Sequence, residues 1–392
     1  MSHPAPTPAP PLTRGTRAMR PSRTLVATAV VAASGLLVSA CGGSPSAAPP
    51  EAAASVAPSG PSAAEELYAE VGALTGQERR DRLVELAAEE EGLNLYTSMT
   101  SDVADAVTEA FSDQFDIDVS IYRAGSETVL TRILQEQAAG FAGNDIVETN
   151  ATELVALESE GLLATYGGER RDMVPEVGLA DTWTATRFNL FAPSWNTDLV
   201  SGDMVPTSWE DLADPKYDGQ LSMELGDYDW YLTLHGYLMD QGMSEEEVDQ
   251  LFTDMVDGAK LVKGHTVQGE LMSAGEFGVT ASNYTYIVER AKSEGAPVDY
   301  LPLTEPVIAR PNGGGLMKSA ANPATAMLFF DWLLEEGQTV LVEESLTPAI
   351  VGDEDPLADV ELIPVDLDTL IAEGEDWSAR YDELLAGGEV IE

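Results

Sequence analysis

The densest chemistry in the chain is Asp227-Tyr228-Asp229-Trp230-Tyr231, two carboxylates and three aromatic rings in five residues. Carboxylates beside ring faces make a setting for a cation. The same residues also suit a helix start, with Asp229 as its cap and Trp230 and Tyr231 turned to the core. Thr97, Ser98 and Ser101 stand where a β-like run gives way to a helical pattern, and Ser126 follows Gly125 at a second such junction. Free N–H groups and the positive dipole end at a helix start suit a carboxylate or phosphate. His265 lies in Lys263-Gly264-His265-Thr266, a loop before a helical stretch. Arg123, Arg187 and Arg310 are scarce cations in an acidic chain, each able to pair with an anionic group.

Catalytic patterns do not accompany these residues. A serine nucleophile needs an oriented base, and neither His235 nor His265 stands in a nucleophile motif. There is no G-x-S-x-G, no P-loop and no H-E-x-x-H, and Gly313-Gly314-Gly315 lacks the spacing of a dinucleotide loop. The expectation is a binder without resident cofactor, not an enzyme.

The elements that must hold these residues are α/β. Leu93-Asn94-Leu95-Tyr96 reads as a strand, and Val103, Val107, Ala110 and Phe111 recur at helical spacing. Ile117, Val119 and Ile121 alternate, Ser126 opens a helix striped by Val129, Leu130, Ile133 and Leu134, and Asp145–Glu148 forms a third strand. Thr152 reads as a cap and Gly161 as a stop. Repeated strand and helix over so short a stretch argue for right-handed βαβ units and a parallel sheet. Glu65–Glu91 reads as one charged helical stretch. Beyond residue 195 a second set appears: a capping box at Ser244-x-x-Glu247, a strand over Phe277–Ala281, a helix over Tyr284–Glu294 and a strand over Val298–Leu301. Asn322-Pro323 begins a helix through Leu334 with Gly337 at its end, and a last helix runs from Trp377 to Leu385. Two α/β lobes invite a site in the crevice between them, at the carboxyl ends of the strands.

The N-terminus reads as an address. Residues 1–40 hold Arg14, Arg17, Arg20 and Arg23, no acid, and an apolar run from Leu25 to Val38 closing on Val38-Ser39-Ala40-Cys41. Basic start, apolar centre and small-residue cleavage site describe a signal peptide, with Met1 or Met19 as its start. Cys41 is the only cysteine, so no disulfide can form within the chain. Residues 41–62 are rich in Ala, Pro and Ser and read as a flexible leash. Twenty basic residues stand against 68 acidic ones, a net charge of −48. Such a surface repels nucleic acid and anionic headgroups.

Several segments together resemble the bacterial extracellular solute-binding proteins of the group that includes the ferric-iron-binding proteins. They are Leu95-Tyr96-Thr97-Ser98, Asn144-Asp145-Ile146-Val147-Glu148-Thr149, and Ser208-Trp209-Glu210-Asp211-Leu212 with Asp214-Pro215-Lys216-Tyr217-Asp218-Gly219. Gly275-Glu276-Phe277 and Pro311-Asn312-Gly313-Gly314-Gly315-Leu316 continue the order, and residues 90–345 are covered. The Val-Ser-Ala-Cys box is similar to the lipobox, which implies a lipidated Cys41 and a protein tethered to the outer face of the cell membrane. The resemblance implies a type II periplasmic-binding-protein-like fold: lobe 1 over residues 63–192 and again from 309, lobe 2 over 193–308, and a helical tail within 309–392. Crossing segments fall near Phe191–Trp195 and Val307–Arg310. It also implies a monomer that delivers its solute to permease and ATPase subunits of an ABC-type importer. A ligand sensor or surface scaffold on the same fold is the alternative. The iron-binding members use a tyrosine pair, an early histidine and an acid; here Tyr284 and Tyr286 are separated by Thr285, Met99-Thr100 stand in the histidine region, and Asn150 best fits the acid position, with Glu148 close by. Ferric iron as cargo would rest on Tyr284 and Glu148, whereas polyamines, phosphonates or thiamine-like cations would use aromatic walls and a few polar anchors.

Overall fold

The structure is a computed structural model that describes residues 60–350 and 360–391. The proposed signal peptide, Cys41 and most of the leash therefore lie outside the described residues. No described helix is long and apolar enough to cross a membrane.

Thirteen strands form one continuous mixed sheet. The first four are β1 (Leu93–Thr97), β2 (Val119–Arg123), β3 (Ile146–Asn150) and the short β4 (Leu163–Ala164). The long β5 (Trp183–Asn196) follows, then β6 (Leu221–Glu224), β7 (Lys260–Val262), β8 (Val279–Tyr284) and β9 (Val298–Asp299). The long β10 (Val307–Met317) precedes β11 (Thr347–Pro348), β12 (Leu362–Pro364) and β13 (Glu389–Val390). The main order is β13-β7-β6-β8-β5-β10-β3-β1-β2. At one end β2, β1 and β3 run parallel; at the other β8, β6, β7 and β13 do. These are the parallel cores of two lobes, each covered by helices as such sheets require.

Antiparallel β5 and β10 join the two cores. Asn312–Leu316 of β10 pair with β3, Ile308–Asn312 pair with Phe191–Arg187, and Phe191–Trp195 of β5 pair with β8. Every residue of both strands is buried. The glycine run is a packing device. A Cβ on Gly314 would stand 2.6 Å from the Phe330 ring, and one on Gly313 2.5 Å from the Thr184 carbonyl oxygen. Only glycine allows so close an approach.

Several local expectations shift. Glu65–Glu91 is two helices, Ala63–Gly72 and Gly76–Ala87, the first closed by a full Ser62/Glu65 capping box. Thr152 is not the cap, because Asn150 holds that position for helix Ala151–Ser159. Gly337 does not end the helix Pro323–Leu333; it begins the next, Gly337–Glu343. Tyr284 ends β8 and only precedes the helix Thr285–Ser293. The last helix runs from Leu367 to Leu385, starting where the Asp366 side chain accepts from the Thr369 N–H.

That last helix returns to lobe 2. Tyr381 stacks on Tyr231 and donates to the Glu224 carbonyl at 2.7 Å, and β13 then extends β7 at the sheet edge. Its first residue, Leu367, packs also on the lobe 1 cluster containing Leu154 and Leu157. The helix therefore touches both lobes across the crevice.

Candidate functional site: an interlobe cleft

The strand order places the carboxyl ends of β1, β2 and β3 opposite those of β6, β7 and β8. Between them lies a cleft of about 980 Å³ lined from both lobes and from the last helix. Lobe 1 contributes Ser98, Thr100, Arg123, Ser126, Asn150 and Glu153. Lobe 2 contributes Asp227, Tyr228, Asp229, His265, Tyr284 and Tyr286, with Arg310 from β10 between. A parallel sheet positions loops this way because each strand hands its end to a crossover helix.

Arg310 is the centre of the lobe 2 wall. It is 4 % exposed, yet it pairs with Asp227 at 3.1 Å and with Asp229, and donates to the Tyr284 hydroxyl. Its guanidinium also lies over the Phe191 ring, 4.4 Å from the centroid. Burial works against its charge, but Asp229, Tyr284 and Asp227 outweigh that and raise its pKa. Asp227 also accepts from Ser282 at 2.6 Å and contacts His265 Nε2 at 3.0 Å. Burial would raise the Asp227 pKa; His265 and Arg310 overcome this and hold it below the ordinary value. The His265 ring stacks on Tyr284 with centroids 3.8 Å apart. Burial pushes the Tyr284 hydroxyl well above its usual range, with Arg310 opposing.

On lobe 1 three helix starts face the cleft. Their cap residues Thr100, Gly125 and Asn150 make no side-chain cap hydrogen bond. The Asn150 side chain instead donates to Ser126 Oγ at 3.1 Å and accepts from Asn312 at 2.7 Å. Arg123 at the end of β2 donates through Nε to the Met99 carbonyl at 2.8 Å. Among the described residues three ion pairs span the lobes: Lys263 with Glu127 at 3.3 Å, and Arg290 with Asp102 at 2.8 Å and with Glu344 at 3.6 Å.

The structure brings Ser98, Ser126, Asp227, Tyr228, Asp229, His265, Tyr284, Tyr286 and Arg310 to this one cleft. Thr97, Ser101, Glu148, Trp230 and Tyr231, also singled out in the sequence, do not line it. Thr97 is fully buried and donates to Glu148 at 2.9 Å. Glu148 is fully buried too, held by Thr97, Thr186 and Arg187. Trp230 lies in the core against Trp209 and Phe252, and Asp227, not Asp229, takes the cap position. Successive helical residues point about 100° apart, so Asp229 faces the cleft while Trp230 faces inward.

Glu153 and Glu224 escaped the sequence reading. Glu153 sits in the first turn of its helix, a position where an acid is ordinarily a surface complement to the helix dipole. Here it is 7 % exposed, and its Oε2 has no hydrogen-bond partner among the described residues. Burial pushes its carboxyl up to about 7, with Arg310 and a hydrogen bond from Ser126 opposing. A carboxyl raised above its unfolded value binds its proton more tightly when folded. Its stabilising contribution is therefore whole below about pH 4.5 and is lost as pH climbs through about 7. Glu153→Gln is expected to flatten that part of the stability profile in urea melts; an unaltered slope would mean the carboxyl is well solvated.

A two-lobed sheet with a polar cleft at the facing strand ends defines a binding protein of the periplasmic type. The chain belongs to the family described as bacterial extracellular solute-binding protein, whose model matches residues 156–363. An uncharacterized protein of Haemophilus influenzae is 23% identical over 263 residues, 63% of this chain and 74% of that one. Among solved structures the chain is similar to the periplasmic binding protein AfuA from Actinobacillus pleuropneumoniae with exogenous fructose-6-phosphate bound. There the TM-score is 0.66 at 19% identity, over 75% of this chain and 98% of that one. Iron-bound HitA from Pseudomonas aeruginosa gives 0.61 at 20%, over 74% and 99%. A periplasmic thiamin binding protein gives 0.63 at 15%, over 76% and 96%. At these identities the likeness establishes the fold, which confirms the type II expectation. The chain is a solute-binding protein, and its family places it outside the cytoplasm. Three such different ligands on one fold leave the cargo to the residues of the cleft.

Proposed function

We propose that this protein is the capture component of an ABC-type importer, closing its lobes on a small organic solute rather than on ferric iron. In this reading Cys41 carries the lipid anchor at the outer face of the cell membrane, and a monomer presents the closed form to permease and ATPase subunits. The lobes turn about β5 and β10, where Arg187–Phe191 meets Ile308–Asn312. The observation that carries the reading is the Arg310 cluster at the centre of the cleft. Ferric iron prefers phenolate and carboxylate oxygens. Here the Tyr284 oxygen accepts from a guanidinium, which would repel the metal, and Glu148 is absent from the cleft lining.

One observation favours a metal cargo instead. Ligand atoms of Glu224, Asp227 and His265 lie within 4.8 Å of one another. Both Glu224 oxygens already accept backbone N–H groups, from Gly226 and from Gly264, and Asp227 is held by Ser282 and Arg310. A metal there would have to displace several of these.

Thermal melting with ferric citrate, polyamines, phosphonates, thiamine, amino acids and sugars tests the reading. A solute bound only by the folded state at 100 times its Kd adds about 2.7 kcal/mol, a plain shift in melting temperature. A shift with an organic solute is the expected result. A shift with ferric citrate alone, with a tyrosinate–iron absorption band lost in Tyr284→Phe, would overturn the choice against iron.

A further inference from the structure

The charges of the cleft do not balance. Arg310 is shared by Asp227 and Asp229, Arg187 is matched by Glu148, and Lys263 by Glu127. Arg123 is the cleft-lining cation with no carboxylate partner among the described residues. Against it stand four lining carboxylates without a basic ion-pair partner among the described residues: Glu153 on lobe 1, Glu224 on lobe 2, whose oxygens accept only backbone N–H groups, and Glu375 and Asp382 on the last helix. Glu153 is the telling one. It is 93 % buried by its 7 % exposure, it lines the cleft, and its Oε2 is unpartnered. Such an acceptor is a loss in the empty protein and a ready partner for a donor that arrives with a solute.

We infer that the solute is an organic cation whose charged nitrogen donates to Glu153, between the lobe 1 wall and the Tyr228–Asp229 end of lobe 2. This rests on the solute-binding reading above and narrows it. Tyr228 is half-buried beside Glu153 and Asp229, so a ring face stands near the position of the charge. Arg310 does not spoil the site, because two carboxylates already hold its guanidinium. The last helix adds room as well as charge. Gly374 lies mid-helix in the cleft lining, and a Cβ there would meet only the Leu370 side chain, at an ordinary 3.7 Å. No packing inside the protein demands that glycine, which leaves open the space an organic group would take.

A cation must compete with the proton on Glu153. The groups facing that carboxyl are Ser126 from its own lobe and Arg310, Asp229 and Tyr228 from across the cleft. Affinity should therefore rise with pH through about 7.

Calorimetric titration of the full chain with spermidine, putrescine, thiamine and choline tests this, with fructose-6-phosphate and ferric citrate as contrasting solutes. At least one cation should bind. Its Kd should rise about thirtyfold or more in Glu153→Gln and lose its pH dependence there. Glu153→Gln removes a charge that burial disfavours, and an unchanged far-ultraviolet spectrum with a cooperative melt confirms that it folds. Binding of fructose-6-phosphate or ferric citrate without any cation overturns the cation and leaves the solute-binding reading standing. Cation binding that is indifferent to Glu153→Gln overturns the site. No binding by any of the six overturns the cation and counts against the wider reading.

Discussion

Arg310→Ala is expected to cost about 3–5 kcal/mol of folding free energy, the range for breaking a buried ion pair from one side. The size comes from what is left behind. Asp227 is 1 % and Asp229 2 % exposed, and both lose the only guanidinium they share. The Tyr284 hydroxyl loses its donor at the same time, and Phe191 loses the planar group above its ring. Against a usual total of about 5–15 kcal/mol, such a loss leaves a protein on the edge of unfolding at room temperature. Urea denaturation of the variant beside the parent reads the difference directly. A loss under about 1 kcal/mol would mean that water reaches the two aspartates freely, and the cleft would then be far wetter than its burial implies.

Asp145→Ala is expected to cost about 4 kcal/mol, by a different route. Asp145 is 1 % exposed and accepts five hydrogen bonds through its two oxygens. Three come from backbone N–H groups of Asn94, Ala321 and Asn322, and two from the side chains of Asn94 and Asn322. They tie the start of β1 to the start of the helix Pro323–Leu333, segments some 230 residues apart in the chain. Alanine would leave buried N–H groups without acceptors, and each such group costs about 1–3 kcal/mol. Asp145→Asn keeps the shape and one acceptor oxygen and should lose less. Equal losses for the two variants would show that the charge, not the number of acceptors, matters at this joint.

These two residues show unequally how far the sequence speaks. Asp145 stands in the Asn144–Thr149 segment that carried the family resemblance, and the structure supplies the reason: it is a clasp between distant segments. Local signals read well where they act locally. The Ser244/Glu247 capping box forms as the spacing requires, because both partners lie within one helical turn. Gly337 misled because its role is set by the chain around it: it sits against Trp332 and Leu333 at the start of a second helix. The last helix read short because Gly374 and the acids around it blur the apolar stripe, which is completed by packing on lobe 2. Within the site, the Asp227–Tyr231 cluster was legible as chemistry. Its division between cleft and core was not, since that depends on which helix face meets β10. Glu153 was silent for the same reason. Nothing near it in the chain distinguishes a buried first-turn acid from an exposed one, and Arg310 lies 157 positions away by sequence number.

The central claim is closure on a solute, and small-angle scattering with and without solute measures it most directly. Ion pairs reach across the lobe gap, Lys263 to Glu127 and Arg290 to Asp102, and parting the lobes would break them. The protein with its best-binding solute should therefore scatter as this structure does, and the solute-free protein should have a larger radius of gyration. Identical curves in both states, with binding established by calorimetry, would contradict closure as the means by which this protein captures its cargo.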